Sequence, residues 1–195
     1  MALRKLESFG WLTGSASTWL PYRWSTNNGS FNVSTPGRRA GSCYVTFPNA
    51  AWAIGHTFDN QQTWIIHCAV YIYIGTYNIL FIQDAGTVQL WMRFNSGTGR
   101  IEVYRDYVGT LLGSSSNILS SAAWHHLIVK AKIDNTSGSV EVRLDGATVI
   151  NLTGVDTQNS GNASANQILF SGMDFHDIVI CDTSGSSPYN DIIGD

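Results

Sequence analysis

Residues 87–144 carry a strict period of two, and no other feature of the chain limits its fold as strongly. In residues 87–94, Val88, Leu90, Met92 and Phe94 fall on one side, and Gln89, Trp91 and Arg93 on the other. In 100–105, Ile101 and Val103 oppose Arg100, Glu102 and Tyr104. Leu127, Val129, Ala131 and Ile133 make a third apolar row, and Val140, Val142 and Leu144 a fourth, with Glu141 and Arg143 opposite. Successive side chains of a strand point to opposite faces, so this pattern reads as half-buried β-strand. A slip of one residue would move every apolar side chain into water, so the pattern also sets register. Leu90, Met92, Ile101, Val103, Leu127, Val129, Val142, Leu144, Ile178 and Ile180 are expected to face a core.

No stretch shows sustained helical periodicity. Further strands are expected at 30–34, 43–47, 64–74, 79–83, 109–114, 148–152, 167–171 and 175–181. The turns between them are expected at Asn27-Asn28-Gly29, Ser96-Gly97-Thr98-Gly99, 135–138, Asp145-Gly146 and Ser184-Gly185-Ser186. Many short strands at this spacing define a two-sheet antiparallel sandwich or a barrel. Residues 64–74 are apolar on both faces, which fits a central strand covered on both sides or an outer face that meets a partner. Residues 154–166, rich in Gly and Ser, form the longest stretch without a strand pattern. No Pro-rich linker, charge run or repeat divides the chain, so residues 1–195 are expected to form one domain.

Charged residues are 13% of the chain, about half the usual fraction of roughly 25%. A net charge of −3 and only two short basic pairs, Arg4-Lys5 and Arg38-Arg39, argue against nucleic-acid binding. The apolar run 64–74 contains His67 and is too short to span a bilayer, so no membrane role is expected. The opening Met-Ala-Leu-Arg-Lys-Leu-Glu-Ser has no apolar secretory core, so synthesis in a cytoplasm without a signal peptide is expected. Cys43, Cys68 and Cys181 are odd in number, lack CxxC spacing and sit in apolar stretches, where they read as buried free thiols.

Three segments carry a family resemblance. Trp124-His125-His126-Leu127-Ile128-Val129, followed by Gly138-Ser139-Val140-Glu141-Val142-Arg143-Leu144-Asp145-Gly146, resembles the laminin G and pentraxin-type pattern. Asp177-Ile178-Val179-Ile180-Cys181-Asp182, with Ser184-Gly185, Asn190-Asp191 and Ile193-Gly194-Asp195, resembles a late strand of laminin G-like proteins of tailed-phage particles. The opening through Trp11, with Glu7-Ser8-Phe9, is similar to the start of those virion proteins. The resemblance is close over residues 100–195 and loose over the first hundred. It implies an all-β, two-sheet antiparallel jelly-roll sandwich of the concanavalin A-like/laminin G-like type. It also implies a virion location and a structural role in a tail, fibre or capsid decoration. Partners would be other virion proteins and further copies of the chain in a homo-oligomer or repeated subunit. The alternative is a carbohydrate-binding lectin module that attaches to a host-surface glycan. Relatives of this kind continue beyond the final Gly-Asp, whereas this chain stops at Asp195, so a strand is expected to be missing or supplied by a neighbour.

Catalytic chemistry is not expected. Glycosidases on this sandwich resemble one another in a Glu-x-Asp-x-(x)-Glu strand that sets two carboxylates on one face, as retaining hydrolysis needs. Here the glutamates are Glu7, Glu102 and Glu141, and none has that spacing. No nucleophile elbow, phosphate loop, dinucleotide fingerprint or HExxH occurs. His125 and His126 are adjacent, so on a strand they point apart and cannot chelate together. His125 reads as a hydrogen-bonded core residue. Asp174, Asp177 and Asp182 are the candidate calcium ligands, since sandwiches of this kind bind calcium through loop oxygens; turn capping and edge protection are the competing explanation. No other cofactor is expected. The outward row Trp91, Arg93, Glu102 and Tyr104 is the candidate surface site. Its composition matches a protein interface first, sheet packing second and a sugar-stacking platform third.

Overall fold

The computed structural model describes residues 3–7, 24–28, 32–34, 42–47, 53–107, 109–116 and 122–185. Among these there is no helix, and fifteen strands form two antiparallel sheets. In chain order they are β1 (Leu3–Glu7), β2 (Thr26–Asn28), β3 (Asn32–Ser34), β4 (Tyr44–Thr46), β5 (Ala53–Gln61), β6 (Thr63–Ile72), β7 (Tyr77–Asp84) and β8 (Thr87–Asn95). They continue as β9 (Arg100–Arg105), β10 (Thr110–Ser114), β11 (Ala123–Lys132), β12 (Gly138–Leu144), β13 (Ala147–Val155), β14 (Ala165–Ser171) and β15 (Asp174–Asp182). The eight-stranded sheet runs β13-β12-β11-β6-β15-β4-β3, with β1 also paired to β15. The seven-stranded sheet runs β10-β9-β8-β7-β14-β5-β2.

The two sheets enclose one apolar core, and all ten residues expected to face inward are buried there. Burying them is the main favourable term in folding, at roughly 25 cal/mol per Å² of apolar surface. Aromatic side chains link the layers: Trp24 meets Phe170, Phe170 meets Phe175, and Phe175 meets Phe47, each edge to face. Trp64 of β6 donates its indole N–H to the Ala165 carbonyl of β14 at 3.1 Å, across the core. β6 lies between β11 and β15 and is buried on both faces, including Ile65, His67 and Ala69 on its outer side.

The hairpins follow the expected turn chemistry. The β8–β9 turn closes with Gly99 N–H on the Asn95 carbonyl at 2.8 Å. The β12–β13 turn places Asp145 and Gly146 at φ of 49° and 81°, the left-handed pair that a two-residue hairpin turn requires. One expectation is corrected, and two features were not anticipated. Asn27 and Asn28 belong to β2, which pairs with β5, instead of forming a turn. β5 has no strand pattern in the sequence, because its His, Thr, Asp, Asn and Gln blur the alternation. Residues 156–164 are tied down although they form no strand: buried Gln89 donates to Ser160 Oγ and to the Asn162 and Ser164 carbonyls. Buried Asp84 accepts from Ser160 and Asn162 in the same loop. The Asn190 and Ile193 segments of the resemblance lie outside the described residues, as does much of the opening.

Candidate functional site

The outer face of the seven-stranded sheet carries a second apolar cluster, separate from the core. Cross-strand register places Gly55, Leu169, Phe81, Trp91 and Tyr104 in one continuous row over five strands. Phe81, Trp91, Leu169 and Ala53 pack together, with Val88 and Tyr104 against them. Gly55 is required here: a Cβ on it would lie 2.7 Å from both Leu169 Cγ and the Ile168 carbonyl oxygen. Val88 corrects the sequence reading, which placed it inward with Leu90. The β7–β8 register shifts between Ile82 and Gln83, inserting one residue into β8, and this bulge turns Val88 outward.

Trp91, Arg93, Glu102 and Tyr104 are brought together as the alternation implied. Trp91 faces Tyr104 and Arg93 faces Glu102 across the β8–β9 ladder. Arg93 Nε donates to Glu102 Oε2 at 2.8 Å, and Arg93 Nη2 donates to the Tyr104 hydroxyl at 2.7 Å. The Tyr104 hydroxyl donates in turn to Glu102 Oε2 at 2.7 Å, and Asn95 Nδ2 donates to Glu102 Oε1 at 2.8 Å. The guanidinium also lies over the Trp91 and Tyr104 rings, 5.3 and 4.9 Å from their centroids. Burial acts to raise the Glu102 carboxyl, but donors from Tyr104, Arg93 and Asn95 outweigh it and hold it below the usual glutamate value. The Tyr104 phenol is pushed up, first by burial and then by its bond to the Glu102 carboxylate.

Beside this network the sheet is hollowed into an open cleft of about 290 Å³. Its floor is Phe81, Val88 and Leu169, and small side chains of Ala53 and Ser171 deepen it on the β5 and β14 side. Asn78 and Gln83 supply amides. Asn78 Oδ1 accepts from the Trp91 indole N–H at 3.1 Å, which leaves the amide NH₂ as its donor. Tyr107, in the turn after β9, leans over the floor with its ring 5.8 Å from Phe81 and 5.4 Å from Trp91, and is 55% exposed. The sequence reading named none of the residues that line the cleft as site residues, and it placed Val88 on the inward face. Phe81 and Gln83 carried a usable signal, since Leu80 and Ile82 define the opposite face of β7.

The acids proposed for calcium do not fit a calcium site. Among the described residues no three His, Cys, Asp or Glu side chains converge as ligands. Asp174 and Asp182 end the same strand and are separated by roughly 25 Å at about 3.3 Å per residue. Buried Asp174 accepts from the Tyr73 hydroxyl. Buried Asp182 pairs with Arg4 and accepts from the Ser184 backbone N–H and hydroxyl. Asp177, at φ 51°, sits where β15 is bulged, its carboxylate 2.9 Å from His176 Nδ1. His125 is buried, with Nδ1 2.7 Å from Asp145 Oδ2, as expected of a bonded core histidine.

No family model matches the chain, and no curated protein matches it in sequence. Solved structures do match in fold. An alginate lyase superposes with a TM-score of 0.61 at 13% identity, over 90% of this chain and 95% of the lyase. A variant of that lyase in complex with an alginate tetrasaccharide gives 0.57 at 12% identity, over 90% and 95%. A carbohydrate-binding module from Bacillus subtilis gives 0.50 at 11% identity, over 78% of this chain and 92% of the module. The likeness is one of fold: the chain is a concanavalin A-like β-sandwich.

Proposed function

We propose that the outer face of the seven-stranded sheet binds carbohydrate, and that it does so without turnover. The observation that carries this reading is the cleft: aromatic rings form its floor and rim, and amides and a hydroxyl point into it. Sugar rings present apolar C–H faces and an equatorial belt of hydroxyls, so they need a flat apolar surface and a few placed polar groups. The fold relatives support it, since one is a carbohydrate-binding module and another holds an alginate tetrasaccharide. Binding is preferred to catalysis because the acid–base groups at the site are engaged. Both Glu102 oxygens accept hydrogen bonds, and the Tyr104 phenol, pushed up, is a poor base. The test is a glycan array followed by calorimetry on the strongest hit. Tyr107→Ala and Gln83→Ala, both at partly exposed positions, are expected to weaken binding about tenfold or more while leaving the fold intact. Full binding in both variants would refute this placement of the site.

The virion setting rests on the sequence resemblance. In that setting the same face would act in host attachment or as a contact with a neighbouring virion subunit. Binding of a defined sugar by the isolated chain supports attachment. Loss of particle assembly on Tyr107→Ala, with no glycan bound, supports the subunit contact.

A further inference from the structure

We propose that the cleft selects uncharged glycans over acidic ones; this rests on the carbohydrate-binding reading above. Its polar groups, from Asn78, Gln83 and Ser171, are neutral, and its floor is hydrocarbon. The cation that adjoins it, Arg93, is already committed to Glu102 and to the Tyr104 hydroxyl. Glu102 is equally committed: one oxygen takes Arg93 and Tyr104, and the other takes Asn95. The unit is therefore a closed pair with no net charge.

A uronate carboxylate reaching for Arg93 would meet the Glu102 carboxylate bound to it. Like-charge repulsion would offset the attraction, and the incoming carboxylate would lose water against Phe81 and Leu169 with no free cation among the described residues of the cleft to replace it. Hydroxyl and acetamido groups face neither cost, because amides can donate to them and accept from them. Among the described residues, the other cations on this face change nothing at the cleft. Arg105 pairs with Asp156. Arg100 is exposed at the hairpin end of β9, beyond Glu102 and opposite Asn95, whereas the cleft lies towards β7, β14 and β5.

The experiment is an array of neutral, N-acetylated, uronate and sialylated glycans, then calorimetry at low and high salt. The best neutral hit is compared with an alginate tetrasaccharide as the acidic probe. The wild type is expected to bind the neutral hit about tenfold or more tighter than alginate, with little salt dependence. Glu102→Gln, which frees the Arg93 charge, is expected to raise alginate affinity about tenfold and to make it salt-sensitive. If the wild type binds alginate as tightly as any neutral glycan, and does so less well in salt, neutral selection is overturned. Sensitivity of that binding to Tyr107→Ala would leave the carbohydrate site itself standing. Failure of every glycan to bind a folded wild type overturns both. The wild-type comparison decides the proposal even if Glu102→Gln does not fold.

Discussion

Gln89 shows how much one side chain can organise. It is fully buried, its amide NH₂ serves three acceptors in residues 160–164, and its carbonyl oxygen takes the backbone N–H of Asn159 and Ser160. Gln89→Ala strands those groups and is expected to cost about 2–3 kcal/mol, read as a lower urea midpoint. Two acids set opposite pH behaviour. Glu102 is held below its ordinary value, so its stabilisation is full above about pH 4.3 and is lost as pH falls through its folded value. Glu102→Gln is expected to flatten that acid limb in a thermal-melt series. Burial raises Asp174, so its contribution is full below about pH 3.9 and is lost as pH rises through its folded value. Asp174→Asn keeps an acceptor for Tyr73 and is expected to raise the melting temperature at neutral pH.

Among the strands, β1 has a role out of proportion to its five residues. It extends the eight-stranded sheet along β15, and its Arg4 pairs with Asp182 of that sheet and with Asp59 on β5 of the other. The side chain clasps the two layers at one edge. Arg4→Ala removes the cation paired with the buried Asp182 carboxylate, and is expected to cost about 2–4 kcal/mol in chemical denaturation. Asp59→Asn, which breaks only the exposed arm, is expected to cost less than about 1 kcal/mol. A β1 that contributed nothing would leave both variants at the wild-type midpoint. The bulges matter in the same way. One extra residue in β8 turns Val88 to the outer face, and one in β15 lets Phe175 and Ile178 both face the core.

Across the whole molecule, each sheet is assembled from distant parts of the chain. β6 pairs with β15 and β5 with β14, over separations of about a hundred residues. Pairings of that length are slow to close, and refolding is expected on the order of milliseconds to seconds in stopped-flow fluorescence of the tryptophans. Faster folding would mean that the long-range ladders form from a compact precursor. The inward rows, the β8–β9 and β12–β13 hairpins and the placing of Trp91, Arg93, Glu102 and Tyr104 on one sheet face could be read from the chain, because period two and turn chemistry act between near neighbours; the burial of Trp91 and Glu102 on that face could not. The cleft could not. Its residues come from β5, β7, β8, β14 and the β9–β10 turn, and which of them meet depends on strand order and on bulges that no local pattern encodes. The same limit explains the aspartates. Calcium binding by sandwiches of this kind suggested a shared ion, but an extended strand holds its two ends roughly 25 Å apart, and Tyr73 and Arg4, both far away in the chain, hold the Asp174 and Asp182 carboxylates.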